Sequence, residues 1–267
     1  MSYETIIYEV ADRIATITFN RPDQLNAVNP LMARELRQAY AVAETDESVW
    51  ITVVTGAGRA FCTGADVGEI PPDGRVVYEE PYLSTYPQWE APQEATPPFR
   101  AMTKPILTAV NGLCCGAGLD LVTTGDITIA SERAEFFDPH VSIGLVSGRE
   151  SVRLARVLPL NIAMRVALTG RHERLSAQRA YELGLVSEVV EHDRLLDRAR
   201  EVAQLINRNA PLAVRGTRLA IRKGIDLPLN EAEILAEAFR ERVVRTSDAA
   251  EGPAAFMEKR EPKWTCQ

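Results

Sequence analysis

Two glycine turns and a few proton-moving side chains carry the chemistry that this sequence offers. Gly64-Ala65-Asp66 and Gly116-Ala117-Gly118 each set a small residue directly after a glycine. With no side chain at Gly64 or Gly116, the backbone turns sharply and a ligand can approach the next N–H closely. The Ala117 N–H is expected at the start of a helix that begins near Gly118. The positive end of a helix dipole favours an anion there. Taken alone, such a turn is equally an ordinary strand-to-helix junction. Asp120 and His140 are the residue types that move protons, and imidazole titrates near neutrality. A nearby Asp120 carboxylate would favour imidazolium on His140 and give a base–acid pair. The alternative for His140 is a histidine hydrogen-bonded in the core. Glu150, after Ser147-Gly148-Arg149, is a further acid, and equally a first-turn helix residue. His172 and His192 are expected at the surface.

Other chemistries find little support. Cys62, Cys114, Cys115 and Cys266 match no zinc spacing, and the adjacent pair argues against a disulfide framework. A reduced, cytoplasmic setting is the simplest reading. No dinucleotide fingerprint and no metal-ligand spacing is present. The net charge of -7 leaves no nucleic-acid footprint. No apolar stretch approaches the roughly 20 residues of a membrane span, and the first ten residues do not read as a signal peptide.

The elements that would position these residues follow from periodicity. At 267 residues, 46% hydrophobic and 25% charged, the chain has the composition of an ordinary globular protein. Residues 3–10 and 13–20 read as strands, the second with Ala15, Ile17 and Phe19 on one face. A helix is expected over 30–43, capped by Asn29 and opened by Pro30. Strands follow at 50–55 and 106–110, then a glycine-containing turn over 111–118 and a helix from 119. Further strands are expected at 127–130, around Phe136-Phe137 and at 186–190. Helices are expected at 151–158, at 161–168 and at 176–183, the last capped by Ser176 and stopped by Gly184. From 193 onward the pattern is helical. Residues 71–98 break it with seven prolines and four aromatics, Tyr78, Tyr82, Tyr86 and Trp89, and read as a packed lid or pocket wall.

Four ordered blocks then resemble the crotonase superfamily, the enoyl-CoA hydratase/isomerase family. They are Asn20-Arg21-Pro22 with Asn26-Ala27; Ala60-Phe61-Cys62-Thr63-Gly64-Ala65-Asp66; Lys104-Pro105-Ile106 through Gly116-Ala117-Gly118-Leu119-Asp120 to Gly125-Asp126; and Leu168-Thr169-Gly170 through Ala180 to Gly184-Leu185-Val186. The tail Ala255-Phe256-Met257-Glu258-Lys259-Arg260 is similar to the family's C-terminus. The match spans about residues 5 to 263.

The resemblance implies an α/β fold, a spiral of β-β-α units over residues 1–192, with a helical C-terminal oligomerisation segment over 193–267. It implies a homotrimer, or a hexamer as a dimer of trimers. The substrate would be an acyl-CoA thioester, with coenzyme A arriving as part of it and no cofactor bound permanently. The thioester oxygen would accept from the N–H groups of Ala65 and Ala117, an oxyanion hole, with Asp66 bracing its loop. Arg21, Asn26, Ala27, Arg59, Gly64, Gly116, Gly148 and, from a neighbouring subunit, Lys259 would form the substrate and CoA contacts; Lys104 is a further cation within reach of phosphates.

The sequence departs from the family's hydratases where it matters most. Their two glutamates fall here at Asp120 and His140. Aspartate retracts the carboxylate by roughly 1.5 Å, and a misplacement near 1 Å can cost about 100-fold in rate. The resemblance therefore implies a lyase or isomerase using Asp120 and His140, with Glu150 as a third candidate acid. Hydrolysis of a thioester or C–C bond, and acyl-CoA binding without catalysis, are the alternatives.

Overall fold

The computed structural model describes residues 2–69 and 102–267. The lid reading of 71–98 lies outside the described residues. Strands β1 (Ile6–Ala11) and β2 (Ile14–Phe19) form an antiparallel hairpin. The inward side of β2 is Ala15, Ile17 and Phe19, as the alternation predicts, and all three are buried. Helix α1 (Pro30–Thr45) starts where expected: the Asn29 side chain accepts from the Met32 N–H, and Pro30 holds the first position.

After α1, the next six strands alternate between two sheets. β3 (Ile51–Gly56), β5 (Ile106–Val110), β7 (Ile127–Ser131) and β10 (Glu188–Val190) extend the first sheet in the order β1-β2-β3-β5-β7-β10. β4 (Ala60–Cys62), β6 (Leu113–Cys115), β8 (Glu135–Phe137) and β9 (Leu175–Ser176) form the second, β4-β6-β8-β9. Each turn of the spiral is thus one strand in each sheet and then a helix. α2 (Ala117–Thr124) follows β5 and β6, and α3 (Arg149–Val157) follows β7 and β8. This is the expected β-β-α architecture.

The main core lies inside the spiral and includes Phe19, Met32, Tyr40, Phe61, Leu119, Phe136 and Leu154. Burial at this scale, about 25 cal/mol per Å² of apolar surface, is the main drive for closing the spiral. A second cluster covers the other face of the six-stranded sheet, where Leu195, Ala199 and Ala203 of α6 (Leu195–Asn207) meet Ile51, Val53, Leu107 and Ile129. α4 (Leu160–Thr169) and α5 (Ala177–Glu182) add Ala163, Ala177 and Ala180 to the main core, and the Ser176 hydroxyl caps α5 as predicted.

The C-terminal segment adds α7 (Pro211–Gly224), α8 (Leu229–Val243) and α9 (Ser247–Glu258). Asp126 anchors α7: it accepts from Arg218 Nε at 2.6 Å and from Arg222 Nε at 2.9 Å. Arg222 also donates to the carbonyls of Thr124 and Gly125 at the C-terminal end of α2, where cations are favoured. Among the described residues, no helix is long and apolar enough to cross a membrane.

Candidate active site

Three neighbouring strands of the smaller sheet run parallel and deliver the candidate residues from the same end. β4 pairs with β6 in the register Cys62↔Cys114, and β6 pairs with β8 in the register Cys115↔Phe137. The chain therefore leaves adjacent strands at Gly64-Ala65, at Gly116-Ala117 and at Asp138-Pro139-His140. Ligands in open α/β sheets favour this position, outside the carboxyl ends of parallel strands.

The two glycine turns touch. A Cβ built on Gly116 would lie 3.0 Å from the Gly64 Cα, and one built on Gly64 would lie 3.7 Å from the Ala117 nitrogen. Gly116 has φ +52°, and helix α2 begins at Ala117, two residues earlier than expected. On the Ala65 side, Val28 N–H donates to Gly64 O (2.8 Å) and Asp66 N–H donates to Val28 O (3.0 Å). That bridge leaves the Ala65 N–H facing away from Val28. Neither the Ala65 nor the Ala117 N–H has a hydrogen-bond partner among the described residues.

The first sequence block braces this loop. Arg21 pairs with Asp66 at 2.9 Å and also donates to the Ala27 carbonyl. Asn26 is fully buried, and its amide donates to the carbonyls of Ala57 (2.9 Å) and Ala60 (2.7 Å) while accepting from Arg21 N–H (2.9 Å). The side chains of Arg21 and Asn26 are thus spent within the protein. Asp66 also accepts from Gly68 N–H at 3.2 Å.

Asp120 lies in the first turn of α2, buried, with Oδ1 3.2 Å from Arg153 Nε. Arg153 also donates to the Thr124 hydroxyl at 3.2 Å, so it lies along α2 from Asp120 to Thr124. His140 is held by a residue that the sequence reading passed over. Asp138, 0% exposed, accepts from His140 N–H at 3.0 Å and contacts His140 Nδ1 at 2.6 Å through the same oxygen. Its other oxygen accepts from Ser147. Ser151 in turn donates to Ser147 at 2.7 Å. The His140 ring edge faces the glycine turn, with Cε1 3.9 Å from a Cβ built on Gly116.

The hydrogen bond to Asp138 raises the His140 pKa, against the effect of burial; the charges of Asp138 and Glu150 act in the same direction. Burial pushes the Asp138 carboxyl up, but the hydrogen bonds from His140 and Ser147 prevail and hold it below the ordinary carboxylate range. Glu150 stands in the first turn of α3, close enough for its charge to act on His140.

The remaining candidates lie apart from this cluster or close to its edge. Gly148 is the exposed N-cap of α3. Arg59 is exposed, and so is Lys259 at the C-terminal end of α9. Lys104 is corrected from a phosphate-reaching cation: its ammonium is buried on the carbonyls of Ala43 (2.7 Å) and Asp46 (2.6 Å), closing the end of α1. Burial pushes the Cys62 thiol to about 11 and Cys115 to about 12, so neither is a ready nucleophile. His172 is exposed, whereas His192 is partly buried against the Ser131 hydroxyl. A cleft of about 1870 Å³ between α2, α3 and α7 includes Arg149 and Arg153 in its lining but none of Ala65, Ala117, Asp120 and His140.

The fold and this site define a spiral α/β protein in which two amides without a partner among the described residues, and several titratable side chains, gather at parallel strand ends. Residues 9–267 match the family described as enoyl-CoA hydratase/isomerase. The chain is 36% identical to (E)-benzylidenesuccinyl-CoA hydratase of Thauera aromatica, over 96% of this chain and 97% of that one. It is 32% identical to 2,3-dehydroadipyl-CoA hydratase of Escherichia coli K12, over 96% and 97%. A crystal structure of an enoyl-CoA hydratase/isomerase from Mycobacterium paratuberculosis is 72% identical and superposes with a TM-score of 0.93, each chain covered completely. The chain belongs to the enoyl-CoA hydratase/isomerase family.

Proposed function

We propose that this chain adds water across the conjugated double bond of an enoyl-CoA thioester. The observation that carries the reading is the convergence of two unpartnered amides, an ion-paired carboxylate and an aspartate-held imidazole on three adjacent strand ends. The thioester oxygen accepts from Ala65 and Ala117 N–H. Each such donor contributes about 3 kcal/mol where charge develops in a dry, preorganised site. Asp120, paired with Arg153, takes a proton from water as the water oxygen bonds to Cβ. The double-bond electrons move toward the thioester oxygen, and His140 then delivers a proton to Cα. Arg153 Nε, 3.2 Å from Asp120 Oδ1, holds the carboxylate in place. Glu150 supports the imidazolium by its charge.

Around this centre, Arg21, Asn26, Ala27 and Asp66 shape the Ala65 loop, Gly64 and Gly116 let the substrate come close, and Gly148 starts the helix that carries Glu150. The exposed cations Arg59 and Lys259 supply charge for the CoA phosphates. Arg21→Leu is expected to cut kcat/KM about tenfold, mainly through kcat, because the Ala65 amide loses its aim. Steady-state kinetics check this, and an unchanged kcat would make the Arg21–Asp66 pair purely structural.

Loss of the absorbance of crotonyl-CoA tests the reaction itself. The two hydratase relatives name carboxylated enoyl-CoA esters, which make a second arm of the same assay. Hydrolysis is the second reading, favoured by the Asp138–His140 pair, an arrangement that also activates water. Release of free CoA thiol, with the double bond intact, would select it.

The trimer reading draws support from the C-terminal helices, which leave Ile221, Ile225, Leu229, Ile234, Phe256 and Met257 exposed. Apolar surface on that scale favours association. Sedimentation at the mass of three chains, or six, is the expected result.

A further inference from the structure

We infer that Asp138 is the positioning residue of this site: it takes the Nδ1–H of His140 so that Nε2 is the nitrogen presented to the substrate, and Ser147 fixes Asp138 in turn. The inference rests on the reading in which His140 carries the proton, and it adds a residue that the sequence motifs leave unassigned.

The local chain makes the arrangement almost obligatory. Asp138 follows the last residue of β8, and Pro139 fixes the next φ. An aspartate in this setting accepts from the N–H two residues on, and the His140 N–H does donate to its Oδ1 at 3.0 Å. The same oxygen then lies 2.6 Å from Nδ1, so backbone and ring are held from one point. Asp138 has no exposure to solvent. A buried carboxylate needs its remaining lone pairs satisfied, and the Ser147 hydroxyl meets that need on Oδ2. Ser151, on α3, bonds both the carbonyl and the hydroxyl oxygen of Ser147 at 2.7 Å. A chain of hydrogen bonds thus runs from helix α3 to the imidazole.

Nδ1 is an acceptor only when it carries no proton, and a carboxylate cannot donate to it. Facing an ionised Asp138, Nδ1 must carry hydrogen, so the neutral ring is left with its lone pair on Nε2. The proton that His140 exchanges with substrate therefore travels through Nε2, whose ring neighbour Cε1 lies nearest to the Gly116 turn. Among the described residues, the other charged or titratable groups acting on this cluster include Glu150 of α3, Cys115 at the end of β6, and Arg174, whose guanidinium stands over the Phe137 ring and pairs with Glu135. Cys115 stays a thiol, and Arg174 is engaged by Glu135, so Asp138 is the direct partner of the ring.

The chain has three histidines, which makes nitrogen NMR of the imidazoles tractable, with His140 assigned through His140→Gln. The wild type is expected to show neutral His140 protonated on Nδ1 and titrating above the ordinary histidine range. Asp138→Asn is expected to return that titration to the ordinary range, mix the two tautomers, and lower kcat for crotonyl-CoA on the order of 100-fold with little change in KM. An Nε2-protonated His140 in the wild type would overturn the inference. So would a His140 titration and tautomer unchanged by Asp138→Asn. The wild-type tautomer needs no variant, so the test holds even if Asp138→Asn fails to fold. A wild type that leaves both crotonyl-CoA and the carboxylated enoyl-CoA esters untouched but shows the Nδ1-protonated ring would sink the hydratase reading and leave the positioning role intact.

Discussion

Gly116→Val is expected to abolish measurable turnover of enoyl-CoA while the chain still folds. Two costs meet at this position. Gly116 has φ +52° and ψ -121°, a backbone conformation that a β-branched residue adopts only with strain of about 1–3 kcal/mol. A Cβ there also meets the Gly64 Cα at 3.0 Å, so the two turns must part. Parting them moves the Ala65 and Ala117 amides away from a shared acceptor. Loss of one such donor costs about 10²- to 10³-fold in kcat, and here both lose their aim. Gly184→Ala separates strain from chemistry. Gly184 has φ +80° and nothing within 4 Å of a built Cβ, so alanine there costs stability alone. The expected pattern is a lowered melting temperature in both variants and lost turnover only at Gly116. Equal turnover in both would remove the paired turns from the mechanism.

Much of the scaffold was open to reading before the structure. Asn29-Pro30 announces a helix by capping chemistry, and Ala15, Ile17 and Phe19 announce a buried strand face; both signals are local and both hold. Two short strands gave no such signal. β4 and β6 are three residues each, parallel and enclosed, so they carry no polar alternation, and the stretch over 111–118 reads as one glycine turn although β6 lies inside it. Helix α2 starts earlier than expected because Gly116 brings no capping side chain to mark the boundary.

The site divides along the same line. Ala65 and Ala117 are legible because glycine turns advertise themselves. The partners of the acid–base residues are not. Arg153 reaches Asp120 from another helix, and Arg21 reaches Asp66 from the far side of α1, pairings that only the tertiary fold creates. Asp138 was the exception that could have been caught. Asp-Pro-His is a turn-forming run, and the turn itself sets the carboxylate beside the ring. Lys104 shows the opposite error. A lysine beside a proline at a strand start looks available, yet its ammonium is consumed by the carbonyl end of α1.

Asp120→Asn and His140→Gln are each expected to lower kcat for crotonyl-CoA by about 10²- to 10⁴-fold, with the double variant little worse than either. In the proposed reaction Asp120 and His140 act on the two ends of one double bond, so removing one leaves the other with no concerted partner. The pH dependence assigns the acid. If His140 delivers the proton, the wild-type rate falls as pH rises through its raised pKa, and that alkaline limb vanishes in His140→Gln. Stability carries the same signature with a definite sign. His140 has a raised pKa in the folded state, so its contribution is fully present below the ordinary histidine value and fades as pH climbs through the folded value. Asp138 has a lowered pKa, so its contribution is present above the ordinary aspartate value and fades as pH falls through the folded value. The difference in melting temperature between wild type and His140→Gln should therefore be largest near about pH 5 and shrink toward about pH 9. A difference that stays flat across that range, beside an alkaline limb that survives in His140→Gln, would take the proton away from His140 and return it to Glu150 or to solvent.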